Sequence, residues 1–367
     1  MITEIKHERP GVYSSYETSS LTAASAGGGK VAIIAAVNHS ADGAEDGGDF
    51  YQWTSYSRAA ADVGECALSR LALLAIRNGA GAVYGVPVKT VKAGDGEDDD
   101  VEKYDYDAAF EIAAAIEDVS VVVCDSDDVK VQQKLREMVK TCSAARKERI
   151  AVVGGRTGEN VQELVARAKD LNHERVVLVA PGGVDAGGRA VGGNLCAAAV
   201  AGAIAGSVDP ALPLGGAQLY GLNGLEESYD DGDIDTLVRG GVTPLETLAG
   251  DCYVVRGVTT RTIAGNAEDS TWRELTTILV VDEVIPGVRR ALRSKFSRAN
   301  NTEQTRGAIR SQTVMELEKR VSREIIDSYE DVTVSTLEDD PTVCLVEFAF
   351  TVAHGLNQVW LSAHITV

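Results

Sequence analysis

The chain has no close pair of cysteines. Its six, Cys66, Cys124, Cys142, Cys196, Cys252 and Cys344, stand singly and mostly inside apolar runs. That excludes a CxxC redox motif and a cysteine-rich zinc site, and it reads as free buried thiols in a reducing compartment. Histidine is scarce too. His7, His39, His173, His354 and His364 form no HxxxH or HExxH pattern, so metal catalysis lacks ligands at usable spacing and no metal or other cofactor is expected. No stretch reaches the ~18 consecutive apolar residues that a membrane span needs. The opening MITEIKHERPGVY lacks the apolar core of a signal peptide, so we expect a chain made and folded in cytoplasm, without membrane insertion. Positive charge is also short: 35 Lys and Arg stand against 55 Asp and Glu, a net charge of −20. Nucleic acid and anionic lipid would be repelled over most of such a surface.

What is present is a patterned, foldable chain. Its 367 residues, 44% of them hydrophobic, are enough for one large core or two smaller ones. Residues 1 to about 22 are polar and broken at Pro10-Gly11, after which Val12-Tyr13 opens a Ser/Thr-rich extended stretch that reads as an arm. From Lys30 the run VAIIAAV predicts a strand covered on both faces. A helix with Leu68, Leu71, Ala72 and Ala75 on one side follows, ended by Asn78-Gly79, and GAVYGVPV returns as a strand. The acidic residues 93–105 read as a solvated loop. Alternation then resumes: a helix near 107–117, VSVVVC, a helix striped by Val131, Leu135, Met138, Val139 and Cys142, then IAVV, a helix over 159–171 and RVVLVA. Strand-helix alternation of this kind predicts an α/β fold, a mostly parallel sheet with helices on both faces. From about residue 256 the pattern becomes α+β. Residues 269–298 read as two helical pieces around ILVVDEVIP, and 302–327 as one helix with Val314, Leu317, Val321 and Ile325 on a face. Two alternating strands follow, Cys344 to Val352 and then Val359, Leu361, Ala363, Ile365 and Val367.

The one enzyme-like string is GGRTGEN, residues 154–160, placed after a strand and opening a helix, where amides and the helix dipole suit a phosphate. It is not a P-loop, and no GxGxxG completes a dinucleotide fingerprint. A nucleotide-binding α/β enzyme using the Gly154–Asn160 turn therefore stands as the alternative reading, with an ordinary glycine-rich strand-to-helix turn as the plainer one. GGGK at 27–30 precedes its strand, the wrong order for phosphate binding. No GxSxG elbow occurs, and the only His-Gly, His354-Gly355, sits between the two last strands. The Asp-rich strings at 41–49 and 230–235 match no calcium loop and read as solvated loops. One charge asymmetry stands out. Between Ile285 and Ile325 ten basic residues face four acidic ones, which predicts either a docking surface for an acidic partner or a helix face balanced by local ion pairs.

In their order along the chain, several strings resemble the tail sheath proteins of contractile phages and of the related contractile bacteriocins and injection systems. RPGVY at 9–13 is similar to that family's start. NHERVVLVAPGG, the helix AAAVAGAIAG and GVTPLETLAGDCYVVRGVTTRT are similar to the end of its α/β domain, and TWRELTTILVVDEV to the last strand is similar to its C-terminal domain. The resemblance implies a subtilisin-like topology without proteolysis, hence not an enzyme, and a minimal-size member without extra outward domains. It implies a linking arm at 1–22, a core domain at 23–255, a tube-facing C-terminal domain at 256–354 and a linking strand at 355–367. Pro10, Gly11, Val12 and Tyr13, with Val359, Leu361, Ala363, Ile365 and Val367, would be the inter-subunit arms, each completing a β-sheet in a neighbour. The implied partners are further copies in a helical homo-oligomer, a tail tube protein, and baseplate and tail terminator proteins, in a virion tail or tail-like particle. From the charge asymmetry we expect Arg289, Arg290, Arg293, Lys295 and Arg298 to face the tube. A non-contractile self-assembling scaffold is the other alternative.

Overall fold

The computed structural model describes residues 29–36, 49–91, 103–184, 187–265, 267–336 and 341–356. The apolar runs become β1 (Lys30–Ala36), β3 (Ala82–Val91), β5 (Val119–Cys124), β6 (Ile150–Gly154), β7 (Val176–Ala180) and β9 (Val242–Leu248). These lie parallel in the spatial order β3-β1-β5-β6-β7-β9. Antiparallel pieces finish the sheet: β2 (Tyr51–Trp53) and β4 (Lys103–Asp105) pair with β3, while β10 (Asp251–Val254) and then β8 (Gln218–Leu219) lie beyond β9. A separate small ladder joins β11 (Ile263–Ala264) to β12 (Ala267–Glu268).

Because successive side chains of a strand point to opposite faces, β1 sends Val31, Ile33 and Ala35 into one core and Ala32 and Ile34 into another. The first face is covered by α1 (Tyr56–Val63), α2 (Ala67–Arg77) and α6 (Gly193–Gly206). The second is covered by α3 (Tyr106–Ala115), α4 (Val129–Ala144), α5 (Val161–Leu171) and α7 (Asp231–Arg239). Cover on both sides is why these strands read as unbroken apolar runs, and it is the α/β arrangement that the alternation predicts. Local chemistry sets the helix ends. Asn160 and Glu163 form a capping box at the start of α5, and Asp230 caps α7 by accepting from the Asp233 N–H.

The C-terminal part is built on α8 (Leu275–Phe296) and α9 (Glu303–Val321), followed by the strands β13 (Ile326–Tyr329), β14 (Thr333–Thr336), β15 (Cys344–Glu347) and β16 (Phe350–Val352). Helix α8 serves two cores. Leu275 and Ile278 enter the first, while Val280 and Val284 pack with Leu317, Ile325 and Ile326 in a third.

Three expectations need correction. Residues 269–298 hold a single helix that runs through Pro286, not two pieces. Proline lacks the N–H that would bond back into the helix. The next residue, Gly287, carries no Cβ and so admits the Arg320 side chain, whose Nη2 donates to the Glu283 carbonyl at 3.3 Å in the disturbed turn. The second correction is at 302–327, where the helix stops at Val321 because Glu324 takes a left-handed φ of 58°, and Ile326 already belongs to a strand. The third is at 93–105, whose last three residues are β4, paired with β3; the remainder lies outside the described residues.

Five cysteines are buried and Cys344 is half-buried, all as free thiols. Burial pushes the Cys124 thiol up to about 12 and raises Cys196 and Cys252 as well. Thiolate is the reactive form, so a thiol reagent on the native protein should label one cysteine of the six quickly, Cys344, and the others only on unfolding. Peptide mapping after a short exposure checks this.

Candidate assembly surface

The chain's last described strands form a ribbon two strands wide. β13 pairs with β16 and β14 with β15 in two antiparallel ladders, with Ile326 opposite Val352, a register shift between Ile326 and Ser328, and Thr336 opposite Cys344. Among the described residues no third strand lies against either outer edge of this ribbon. Such edges present unpaired backbone donors and acceptors and are templates for another strand. An isolated two-stranded ribbon is marginal in water, and this one rests on α9 by a single apolar face. Val334, Val346, Phe348, Phe350 and Val352 point that way and are all only partly buried, while Thr333, Glu347 and Thr351 face out. Phe348 and Phe350 stack with centroids 6.3 Å apart. A surface with open edges and a half-covered apolar face is chemically suited to accepting an added strand. The expected arm residues Pro10, Gly11, Val12, Tyr13, Val359, Leu361, Ala363, Ile365 and Val367 lie outside the described residues.

The basic segment divides. Arg320 is buried and bonds Glu316 Oε2 at 3.1 Å and Glu283 Oε1 at 3.4 Å, Lys319 pairs with Glu316, and Arg310 donates to the Val332 carbonyl. For these residues the local ion-pair reading holds. Arg320 locks α8 to α9. Arg320→Ala would leave Glu283 and Glu316 facing each other across that contact and should cost about 3 kcal/mol in urea unfolding, with Arg320→Lys restoring only part.

Of the five residues expected to face a tube, the structure brings Arg289, Arg290 and Arg293 together on one side of α8, along a cleft of about 1,090 Å³ against the N-terminal ends of β1, β5 and β6. Arg289 is engaged there with Glu148 at 2.9 Å, whereas Arg290 and Arg293 are exposed. Lys295 and Arg298 are exposed beyond the cleft, Lys295 bonding Gln312 at 2.5 Å. The sequence reading missed this cleft. Its signal is a basic residue at the start of three parallel strands: Lys30 before VAIIAAV, Arg149 before IAVV and Arg175 before VVLVA. Arg175 forms a bidentate pair with Asp282 of α8 at 2.5 and 2.8 Å, and Arg149 donates to the carbonyls of Ala113 and Ile116 at the end of α3.

The Gly154–Asn160 turn is filled by its own chain. The N–H groups of Arg156, Gly158 and Asn160 donate to the carboxylates of Glu159, Glu226 and Glu163. A Cβ on Gly154 would lie 2.1 Å from the backbone of Gly193, so α6 closes the space in front of the turn. The amides that a phosphate would need are already held by negative groups, and the nucleotide reading loses its support. Among the described residues no three His, Cys, Asp or Glu side chains gather where a metal could be held.

Comparison with known proteins fits this geometry. Residues 99–260 match the phage tail sheath protein central domain and residues 267–366 the phage tail sheath C-terminal domain. The tail sheath protein of Bacillus phage SP01 is 26% identical over 253 residues, covering 67% of this chain; the chain spans 43% of that protein's length. Two solved structures share the fold. A sheath tail protein from Desulfitobacterium hafniense superposes with a TM-score of 0.66 at 13% identity, over 93% of this chain and 100% of that one. The helical sheath of the anti-feeding prophage in its contracted state gives 0.68 at 14% identity over 99% of both chains. The chain belongs to the phage tail sheath family.

Proposed function

We propose that copies of this chain polymerise as a helical sheath around an inner tail tube, and that the sheath shortens and widens to drive the tube through a target envelope. The observation that carries the reading is the two-stranded ribbon, against whose outer edges no further strand lies among the described residues. In the same chain, Val359 to Val367 alternate as a strand would. On this reading the arms, residues 1–22 with Pro10 to Tyr13 and residues 355–367, add strands to the ribbon of a neighbour. Backbone ladders carried on arms survive rotation of the bodies they join, so the mesh can change diameter without coming apart. Residues 23–255 form the body and 256–354 the part nearer the tube, docked on the body through Arg175–Asp282 and Arg289–Glu148.

No step uses a nucleotide, a cofactor or a catalytic residue. The extended form stores free energy that further burial between copies releases, with baseplate proteins as trigger and a terminator protein at the far end. The particle is assembled in the host cytoplasm as a virion tail or tail-like structure. Lys295 and Arg298, exposed past the cleft, are the tube contacts on this reading.

The test is sedimentation of the purified chain over a range of concentrations. A threshold above which nearly all added protein pellets as polymer supports the reading, since helical polymers nucleate. A chain that stays monomeric at every concentration, also with its tube protein present, removes it.

A further inference from the structure

The cleft under α8 has a charge surplus that its own surroundings do not neutralise. Most of its ionic groups are matched: Glu148 by Arg289, Asp282 by Arg175, Asp118 by Lys30 and Glu283 by Arg320. Lys147 donates to the carbonyls of Ala114 and Ala115, which end α3. Arg146, Arg290 and Arg293 remain, exposed on the rim and without a side-chain partner among the described residues, against one such acid, Glu117. Between them the floor is apolar, with Leu279, Pro286 and Val208, the last 78% exposed. Three free arginines over apolar surface are unusual on a chain of net charge −20; they call for an anionic, protruding partner.

The opposite pole of the sheet offers one. Helix α7 leads into the N-terminal end of β9, so its own N-terminus sits at the far edge, where the strands end. The hydrogen bond from Gly158, just past β6, to Glu226 places the loop before α7 at that edge. Glu227 and Asp231 are exposed there without a cationic partner among the described residues, beside Asp233. Burial, and to a lesser degree the nearby carboxylates of Glu227, Glu226 and Asp233, hold the Tyr229 phenol well above its ordinary range. Charge at a helix N-terminus also steadies the helix. That accounts for the cap Asp230 and for Asp231 and Asp233 in the first turn, but not for Glu227, which precedes them.

We propose that the cleft rim of one copy, Arg146, Arg290 and Arg293, receives the acidic loop and helix start of a second copy, Glu227 and Asp231. The two poles stand at opposite ends of the strands, so no copy satisfies itself. The contact is head-to-tail. A heterologous contact of this kind does not close on two copies and propagates into open helical assemblies. It rests on the sheath reading only in requiring that copies polymerise.

Charge exchange without any tube protein tests it. Arg290→Glu with Arg293→Glu, and separately Glu227→Lys with Asp231→Lys, should each raise the polymerisation threshold at least about tenfold at low salt, since like charges then face each other. All four positions are exposed or at a helix start, and circular dichroism checks that each variant is folded. An equal mixture of the two variants pairs opposite charges at every junction and should return the threshold to the wild-type value. Wild-type polymers left unchanged by both exchanges, or no recovery in the mixture, overturn the contact alone. Exchanged variants that polymerise normally but fail to wrap the tube assign the arginines to the tube and overturn it too. A wild-type chain that never polymerises removes both this contact and the sheath reading.

Discussion

Deleting residues 357–367 should leave a chain that folds and unfolds like the full one yet no longer polymerises. The ribbon's four strands, the third core as far as Ala353 and α9 all lie within the described residues, before the deleted stretch begins. Melting temperature and circular dichroism are therefore expected to stay within experimental scatter. The polymerisation threshold should rise at least about tenfold, because an added strand supplies a whole row of backbone hydrogen bonds, each with a net value of ~0.5–1.5 kcal/mol, together with the cover that Val346, Phe348 and Phe350 lack. Replacing Leu361 and Ile365 by lysine in the full chain keeps the backbone but removes one apolar side of the pattern. It should weaken assembly less than deletion does. A deletion that polymerises at the normal threshold would mean that the ribbon is covered by something else.

Gly202→Leu, in contrast, should destabilise the fold severely. Helix α6 runs between the sheet and α2 with ten of its 14 residues buried. A Cβ on Gly202 would lie 2.4 Å from the Ala75 carbonyl oxygen and 2.9 Å from its Cα, and Gly206 meets the backbone of Gly79 at 2.8 Å. These neighbours are backbone, which cannot rotate away as a side chain can. Relief requires α2 to move off the sheet, opening a core that holds Leu68, Leu71 and Ala72. The loss is put at about 3 kcal/mol or more, against the ~1 kcal/mol that removing a helical glycine would otherwise gain. Gly307 gives the control. It lies in α9, exposed, with nothing within 4 Å of its Cβ position, so Gly307→Ala should stabilise by about 1 kcal/mol. Urea unfolding of both variants separates close helix packing from intrinsic helix preference.

The larger sheet was legible because strands buried on both faces are written as plain apolar runs, VAIIAA and VVLVA among them, and because the helices between them carry one-sided stripes and caps such as Asn160 with Glu163. What was not legible depends on partners far away in sequence. Pro286 looks like a helix break until Arg320, 34 positions on, is seen lying over Gly287. Residues 103–105 look like loop because their strand character comes from pairing with β3, not from their own pattern. The basic segment could be counted but not sorted. Only the fold distinguishes Arg320, buried against two glutamates, from Arg290, exposed on the cleft rim. The turn at Gly154–Asn160 shows the reverse: its sequence invites a ligand, and the structure supplies Glu159, Glu163 and Glu226 in the ligand's place.

Electron microscopy of the purified full chain, with and without its tube protein, tests the central claim most directly. The sheath account predicts long hollow tubes with a helical lattice, wide enough to enclose a tail tube, and a shorter, wider form of the same lattice when assembly proceeds without the tube. Closed rings or small compact oligomers as the only assemblies, under every condition that gives folded protein, would contradict it.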